Sequence, residues 1–119
     1  MQNTGLCQQS LTKLAEMIRT REVSAAEVVE AHLEQISRLN PELNAIVTLA
    51  SDFSESSQGP LHGLPITIKD TIETAGIRTT SGSRLRADYV PERDAPVVAR
   101  MKAAGAIILG KTNAAEMAL

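Results

Sequence analysis

The chain has 119 residues, of which 43% are hydrophobic and 22% charged, and its net charge is −2. This is the composition of an ordinary globular protein. Its 12 basic and 14 acidic residues form no long run of one sign. The sequence therefore lacks the basic surface expected of a protein that binds nucleic acid directly, and nothing in it suggests a membrane-surface helix. No apolar stretch approaches the roughly 20 residues that span a bilayer.

The single cysteine, Cys7, excludes an internal disulfide and a metal site made of cysteines alone. A free thiol fits a reducing cytoplasm. Residues 1–10 are polar and lack the charged and then apolar pattern of a secretion signal. We therefore expect a cytoplasmic protein that does not enter a membrane.

The first 40 residues predict two helices. Ser10 is a candidate N-cap for the first, whose apolar face consists of Leu11, Leu14, Ala15 and Ile18. Ser24 and Glu27 form a capping box for the second, whose apolar residues are Val28, Val29, Leu33, Ile36 and Leu39. Asn40-Pro41 is expected to end it, because a residue before proline is disfavoured in the helical region.

Strand signals follow from residue 45 onward. Residues 45–49 and 64–68 are short apolar runs rich in β-branched side chains, and a serine-rich loop over residues 51–59 separates them. Residues 72–77 are predicted to extend or re-form a strand, and residues 78–91 to be a loop.

The last part of the chain predicts a helix, a strand and the start of another helix. Asp94 is the expected N-cap of the first helix and Pro96 lies in its first turn. Its expected buried face is Val97, Val98, Met101 and Ala104, and Gly105 ends it. Residues 106–109 read as a buried strand, and Asn113 and Glu116 as the cap and third residue of a last helix. Helices that alternate with continuous apolar strands predict an α/β fold with both sheet faces covered.

Two motif matches are misleading. Gly105-Ala-Ile-Ile-Leu-Gly110-Lys111-Thr112 fits the nucleotide-binding pattern G-x-x-x-x-G-K-[ST], but a helix precedes it and its middle is suited to a buried strand. Ser10-Leu-Thr-Lys13 fits the S-x-x-K pattern of penicillin-recognising enzymes without its companion motifs. We interpret Ser10 as a helix cap and Lys13 as a solvated residue.

Other polar candidates are weak. His32 and His62 have no carboxylate or cysteine at metal-ligand spacing, so no metal site is predicted. There is no G-x-S-x-G nucleophile motif, and the Ser/Thr/Gly cluster at residues 79–83 is more typical of a turn.

Lys69 is the remaining catalytic candidate. It ends the apolar run at residues 64–68, and strand ends in α/β sheets open onto the crevice where ligands bind. A lysine removed from water there loses its proton more readily and can act as a base. Many lysines at strand ends are simply solvated, so the local sequence leaves both interpretations open.

Four ordered motifs resemble the amidase signature family over about residues 11–119. They are Gly63-Leu-Pro-Ile-Thr-Ile-Lys-Asp70, Gly76-Ile-Arg-Thr-Thr-Ser-Gly-Ser83, Tyr89-Val-Pro-Glu-Arg-Asp-Ala-Pro-Val-Val-Ala-Arg100 and Ala103-Ala-Gly-Ala-Ile-Ile-Leu-Gly-Lys-Thr-Asn113. The resemblance implies a mixed central sheet flanked by helices, of which this chain is an incomplete amino-terminal part. Within residues 1–119 we expect a helical start at about 10–40 and a strand and helix part at about 44–119.

The resemblance also implies the chemistry. Members of this family cleave amide bonds with a Ser–cis-Ser–Lys triad that needs neither cofactor nor metal, and Lys69 matches the triad lysine. Both family serines and the oxyanion-hole amides lie in a Gly/Ser-rich stretch after the Lys-Thr-Asn motif, beyond Leu119. We therefore expect the 119 residues alone to be inactive, and poorly stable because their sheet edges lack partners. The loop before Pro60 is shorter than the alanine-rich helix usual at that place in the family.

Three functions stay open. The first is a general amidase that converts a small carboxamide to an acid and ammonia, which residues 70–76 favour slightly. The second is the glutamine-hydrolysing subunit of an aminoacyl-tRNA amidotransferase. The third is a non-catalytic binding or assembly module. The implied partners are a small-molecule amide and either a second copy of the chain or amidotransferase subunits. Substrate-binding residues cannot be assigned from the sequence.

Overall fold

A computed structural model describes residues 4–55 and 58–118 of the chain, apart from the side chain of residue 4. It contains a three-stranded mixed sheet with helices on both faces, as the sequence predicts. The helices are α1 (Thr4–Cys7), α2 (Leu11–Arg19), α3 (Ala25–Leu43) and α4 (Pro96–Ala103), and the strands are β1 (Ile46–Leu49), β2 (Pro65–Lys69) and β3 (Ile107–Thr112). Short 3₁₀ turns lie at Arg84–Arg86 and Glu116–Ala118.

The predicted starts of the first two helices are confirmed. The Ser10 hydroxyl accepts the backbone N–H of Lys13 at 3.0 Å, so the S-x-x-K match is a cap. Ser24 and Glu27 form the reciprocal capping box, with bonds of 3.0 and 3.2 Å. These bonds satisfy backbone donors that a helix start leaves unpaired.

The predicted end of α3 at Asn40-Pro41 is wrong, because the helix continues through Pro41 to Leu43. A proline near the helix end removes only one backbone hydrogen bond, and local bonds offset that loss. The Asn40 side chain donates to the carbonyl of Ile46 and accepts its N–H, both at 2.8 Å. Asn44 then ends the helix in the left-handed conformation, with φ of 51°.

β3 is the central strand, antiparallel to β1 and parallel to β2. The predicted strands at residues 45–49, 64–68 and 106–109 are confirmed with small shifts of their bounds. β3 runs three residues beyond its predicted end and includes Gly110-Lys111-Thr112. The nucleotide-binding match is therefore a buried strand, as the preceding helix indicated.

Gly110 allows β1 to approach β3. A Cβ at this position would lie 2.4 Å from the carbonyl oxygen of Thr48. The pairing of the two strands also shifts register between Ile46 and Thr48. The glycine is thus required by strand packing.

Two apolar clusters cover the sheet. On one face α3 packs on β3 through Ala25, Val29, Ile107 and Leu109. On the other, the buried cluster is Ile68, Val98 and Ile108, with Ile72 and Ile77 packed against it. A third cluster of Leu14, Val28 and Leu64 joins α2, α3 and the start of β2. The buried residues of all three clusters are therefore aliphatic, in a chain of which only 2% is aromatic.

The predicted strand at residues 72–77 is wrong, because this segment forms turns. It pairs with no strand: the Ile77 N–H donates to the carbonyl of Thr74 at 3.2 Å, and the Gly76 N–H donates to that of Pro91 at 3.0 Å. Ile72 and Ile77 contribute to the core from a loop, so their apolar character comes from tertiary packing.

Three expectations for the last third are also wrong. Asp94 is not the N-cap of α4. That position is occupied by Ala95, which makes no side-chain capping bond. The Asp94 carboxylate instead accepts the N–H of Ala75 at 2.7 Å and pairs with Lys102 at 2.9 Å. Pro96 opens α4 as predicted, and Val98 is buried, but Val97 is 52% exposed. The expected last helix is only the 3₁₀ turn at Glu116–Ala118, and the Asn113 side chain bonds Asn44. Leu119 lies outside the described residues.

Within the described residues, no helix is long and apolar enough to cross a membrane. In the sheet that they form, β1 and β2 each pair only with β3, so both are edge strands.

Gly110→Ala should lower the free energy of unfolding by about 1–3 kcal/mol, the usual cost of forcing an atom into a packed interior. Urea unfolding followed by circular dichroism measures it. Gly5→Ala is the matched control, because a Cβ there meets nothing within 4 Å. Equal stability of the two variants would show that β1 can move away from β3 without cost.

Cys7 should react slowly with iodoacetamide. Burial raises the pKa of its thiol, Glu34 raises this pKa further and Arg38 opposes both. The thiol also donates to the carbonyl of Ala31 at 3.4 Å, which ties α1 to α3. Because the thiolate is the reactive form, the folded chain should alkylate more slowly than the urea-unfolded chain between pH 7 and 9. Equal rates in the two states at each pH would contradict the expectation.

Candidate functional site

Lys69 is the last residue of β2 and pairs with Thr112, the last residue of β3. Because the two strands are parallel, their carboxyl ends meet at one edge of the sheet, where α/β proteins bind ligands. Alternation along β2 buries Ile68 and leaves the Lys69 side chain exposed. A catalytic role would require the Lys69 side chain to be shielded from water. The described residues do not shield it.

Asp70 follows Lys69 and is buried. Its carboxylate accepts the backbone N–H of Thr80 at 3.2 Å and a short hydrogen bond from the Thr80 hydroxyl. Its backbone N–H donates to Thr112 at 3.0 Å, and its carbonyl accepts the N–H of Ser81 at 2.9 Å. Asp70 thus ties β2, β3 and the loop of residues 79–83 together.

Lys111 lies in β3 and is fully buried, with an exposed fraction of 0%. Its ammonium group donates to the Ile72 carbonyl at 2.9 Å and to the Thr79 hydroxyl at 2.7 Å, and lies 3.8 Å from Oδ1 of Asp70. Burial lowers the pKa of Lys111, while the Asp70 carboxylate acts in the opposite direction. An ammonium out of water needs such partners, since an unpaired buried charge is very costly.

The loop of residues 79–83 is a turn, as predicted, and its hydroxyl groups make structural bonds. Thr79, Ser81 and Ser83 are buried. Ser83 accepts the N–H of Leu85 at 3.2 Å and begins the 3₁₀ turn. Ser81 and Gly82 both have positive φ, of 54° and 71°, which folds the loop back over Asp70.

Asp70, Lys111 and Thr79 form a cluster that the sequence did not predict. They are 9 to 41 residues apart along the chain, and neither the nucleotide-binding match nor the family motif that contains Lys111 predicts its partners. The sequence signal for this cluster is a lysine close after an uninterrupted apolar strand. A charged residue that is buried at such a position needs a partner.

The two histidines lie apart from this cluster. His32 bonds the Val28 carbonyl through Nδ1 at 2.7 Å, one turn back in α3, and His62 pairs with Glu55 at 3.2 Å. In the part of the chain that the structure covers, no three His, Cys, Asp or Glu residues are arranged to hold a metal ion.

Comparison with known proteins identifies the family. Residues 27–119 match the model of the amidase family. A glutamyl-tRNA(Gln) amidotransferase subunit of Maridesulfovibrio salexigens is 39% identical over 127 residues, a match that covers 98% of this chain and 26% of that protein.

Two solved structures are also similar. A 6-aminohexanoate cyclic dimer hydrolase is 36% identical with a TM-score of 0.84, over 92% of this chain and 24% of its own. The peptide amidase of Stenotrophomonas maltophilia is 31% identical with a TM-score of 0.85, over 92% and 25%. The chain spans about a quarter of the length of these relatives. Because the family match covers most of its residues, the chain belongs to the amidase signature family.

Proposed function

We propose that the natural protein containing this chain hydrolyses an amide bond, with Lys69 as the base of its catalytic triad. The observation that carries the proposal is the position of Lys69, which lies at the carboxyl end of β2, at the sheet edge where the parallel strands β2 and β3 both end. Membership of the amidase family supports it.

The reaction that follows consumes water. The nucleophilic serine attacks the amide carbon, its proton passes through the second serine to the neutral amine of Lys69, and ammonia or an amine leaves with a proton. Water then cleaves the acyl-serine ester and gives the carboxylic acid. A hydroxyl is a weak nucleophile and needs such a base within hydrogen-bond reach.

The exposure of Lys69 sets a requirement for this chemistry. As a base, the lysine has to accept the proton of a serine hydroxyl, which calls for a site closed to water, whereas the described residues leave the Lys69 side chain exposed. We infer that the segment bearing the serines covers Lys69 in the active protein and expels water from it. The 119 residues alone should therefore not turn over amides.

A glutamine-hydrolysing amidotransferase subunit is the second candidate. The similarity to a glutamyl-tRNA(Gln) amidotransferase subunit favours it. The comparable similarity to a cyclic dimer hydrolase and a peptide amidase favours a general amidase. The first candidate implies that the enzyme is a monomer or a homodimer and that its ligand is a small-molecule amide. The second implies partner subunits. In both cases the single cysteine fits the cytoplasm that we propose as location.

Lys69→Ala in the natural protein should lower kcat/KM for benzamide or glutamine by about 10²–10⁴-fold, the contribution typical of a positioned base. Ammonia release measured by a coupled enzyme assay reports both substrates. Lys13→Ala is the matched control, because Lys13 is an exposed lysine of α2 and should leave turnover unchanged.

Two results would separate the alternatives. Glutamine turnover that requires added amidotransferase subunits identifies the second candidate, whereas turnover of simple amides by the protein alone identifies the first. Absence of turnover in the unaltered protein with every amide and partner protein tested would favour a non-catalytic module and overturn the proposal.

A further inference from the structure

The buried ammonium of Lys111 has no part in the proposed triad. It nevertheless binds the segment of residues 70–79, which directly follows Lys69. The Lys111 ammonium donates to the Ile72 carbonyl at 2.9 Å, and the Ile72 N–H donates to the Lys69 carbonyl at 3.0 Å. One residue therefore links the two lysines by consecutive hydrogen bonds.

A second connection runs through Asp70. Lys111 lies 3.8 Å from the Asp70 carboxylate, and Asp70 is joined to Lys69 by a peptide bond. The Asp70 N–H donates to Thr112, which follows Lys111 in β3. The carboxyl side of Lys69 is thus held from two directions by a central strand.

The Thr79 hydroxyl is the third group that Lys111 binds. It also donates to the Ile77 carbonyl at 3.0 Å. Thr79 lies at the start of the loop of residues 79–83, which bonds Asp70 through Thr80 and Ser81. One ammonium group therefore fixes three points of the segment that follows Lys69.

Stability alone does not explain an ammonium in this place. Apolar side chains of similar volume in place of both Lys111 and Asp70 would fill the site without the cost of removing two charges from water, and such replacements of buried ion pairs are often neutral or stabilising. Unlike an apolar side chain, an ammonium has three hydrogen-bond donors and can hold the acceptor groups around it in fixed positions.

We propose that Lys111 is a positioning residue for Lys69, which it holds in place through Ile72, Asp70 and Thr79. This inference rests on the proposed catalytic role of Lys69. Lys111 touches neither substrate nor reacting atoms in this scheme, and its effect on the reaction passes through the backbone at the carboxyl end of β2.

The first test is Lys111→Met in the natural protein, with the amide that the unaltered protein hydrolyses. Met has a similar length without the donors. We expect kcat to fall about tenfold or more, since a misplacement of about 1 Å is enough to cost 10²-fold, while KM changes less than about twofold. Leu14→Ala lies in the cluster of α2, α3 and the start of β2, at the opposite end of β2 from Lys69, and is the control that lowers the melting temperature and leaves kcat unchanged.

Thr79→Val serves if Lys111→Met does not fold, because it removes one of the three partners of Lys111 and retains the Ile72 carbonyl and the Asp70 carboxylate. It should lower kcat by about threefold to tenfold, the range that the loss of one ordinary hydrogen bond gives. A kcat equal to that of Leu14→Ala in every variant that folds would overturn the proposal.

Amide hydrogen exchange tests the same idea without any activity. In the unaltered protein, the N–H groups of Ile72 and Ser81 should be protected to the level of β3, and Thr79→Val should speed their exchange but not that in α3. If the amides of Ile72 and Ser81 exchange as fast as those of unstructured loops while β3 is protected, Lys111 does not hold this segment and the proposal is overturned. If Lys69→Ala keeps full turnover while the exchange pattern is as expected, the proposed function fails and the anchoring of this segment by Lys111 is retained.

Discussion

The burial of one ammonium group organises the second half of this chain. Removing the charge of Lys111 from water is costly unless its donors and its charge are matched, and the partners come from residues 32 to 41 positions earlier. The segment from Asp70 to Thr79 must therefore return to the carboxyl end of β3. The turns of this segment, and the positive φ angles of Ser81 and Gly82 just after it, serve that return.

The same constraint separates two lysines that are close in the fold. Pleating directs Ile68 into the core and leaves Lys69 exposed at the end of β2, while Lys111 in the neighbouring strand is buried. The ammonium of Lys111 is therefore held by acceptors inside the protein, whereas the side chain of Lys69 is accessible to a substrate or to another segment. The backbone of the base that we propose is held by the hydrogen bond from the Ile72 N–H, while its side chain is exposed.

Local signals are sufficient where the partners are near in sequence. Ser10, and Ser24 with Glu27, cap the helices that they are predicted to cap, because each bond spans three residues. The prediction for Asp94 fails since its partner Ala75 is 19 residues away, and that for residues 72–77 fails since their apolar side chains pack from a loop. The α/β class and the place of Lys69 at a strand end were predictable from the strand patterns. The Lys111 cluster was not, because no local pattern encodes its partners.

The Gly-Lys-Thr sequence of β3 shows why a short motif depends on the element around it. In a phosphate-binding loop the glycine lets the backbone approach a phosphate and the lysine meets its charge. Here Gly110 lets β1 approach within a distance that a Cβ would prevent, and Lys111 meets the charge of Asp70. Both arrangements bring backbone close and place an ammonium beside an anion. In this chain the anion is a side chain of the protein itself, so the motif stabilises the site instead of binding a ligand.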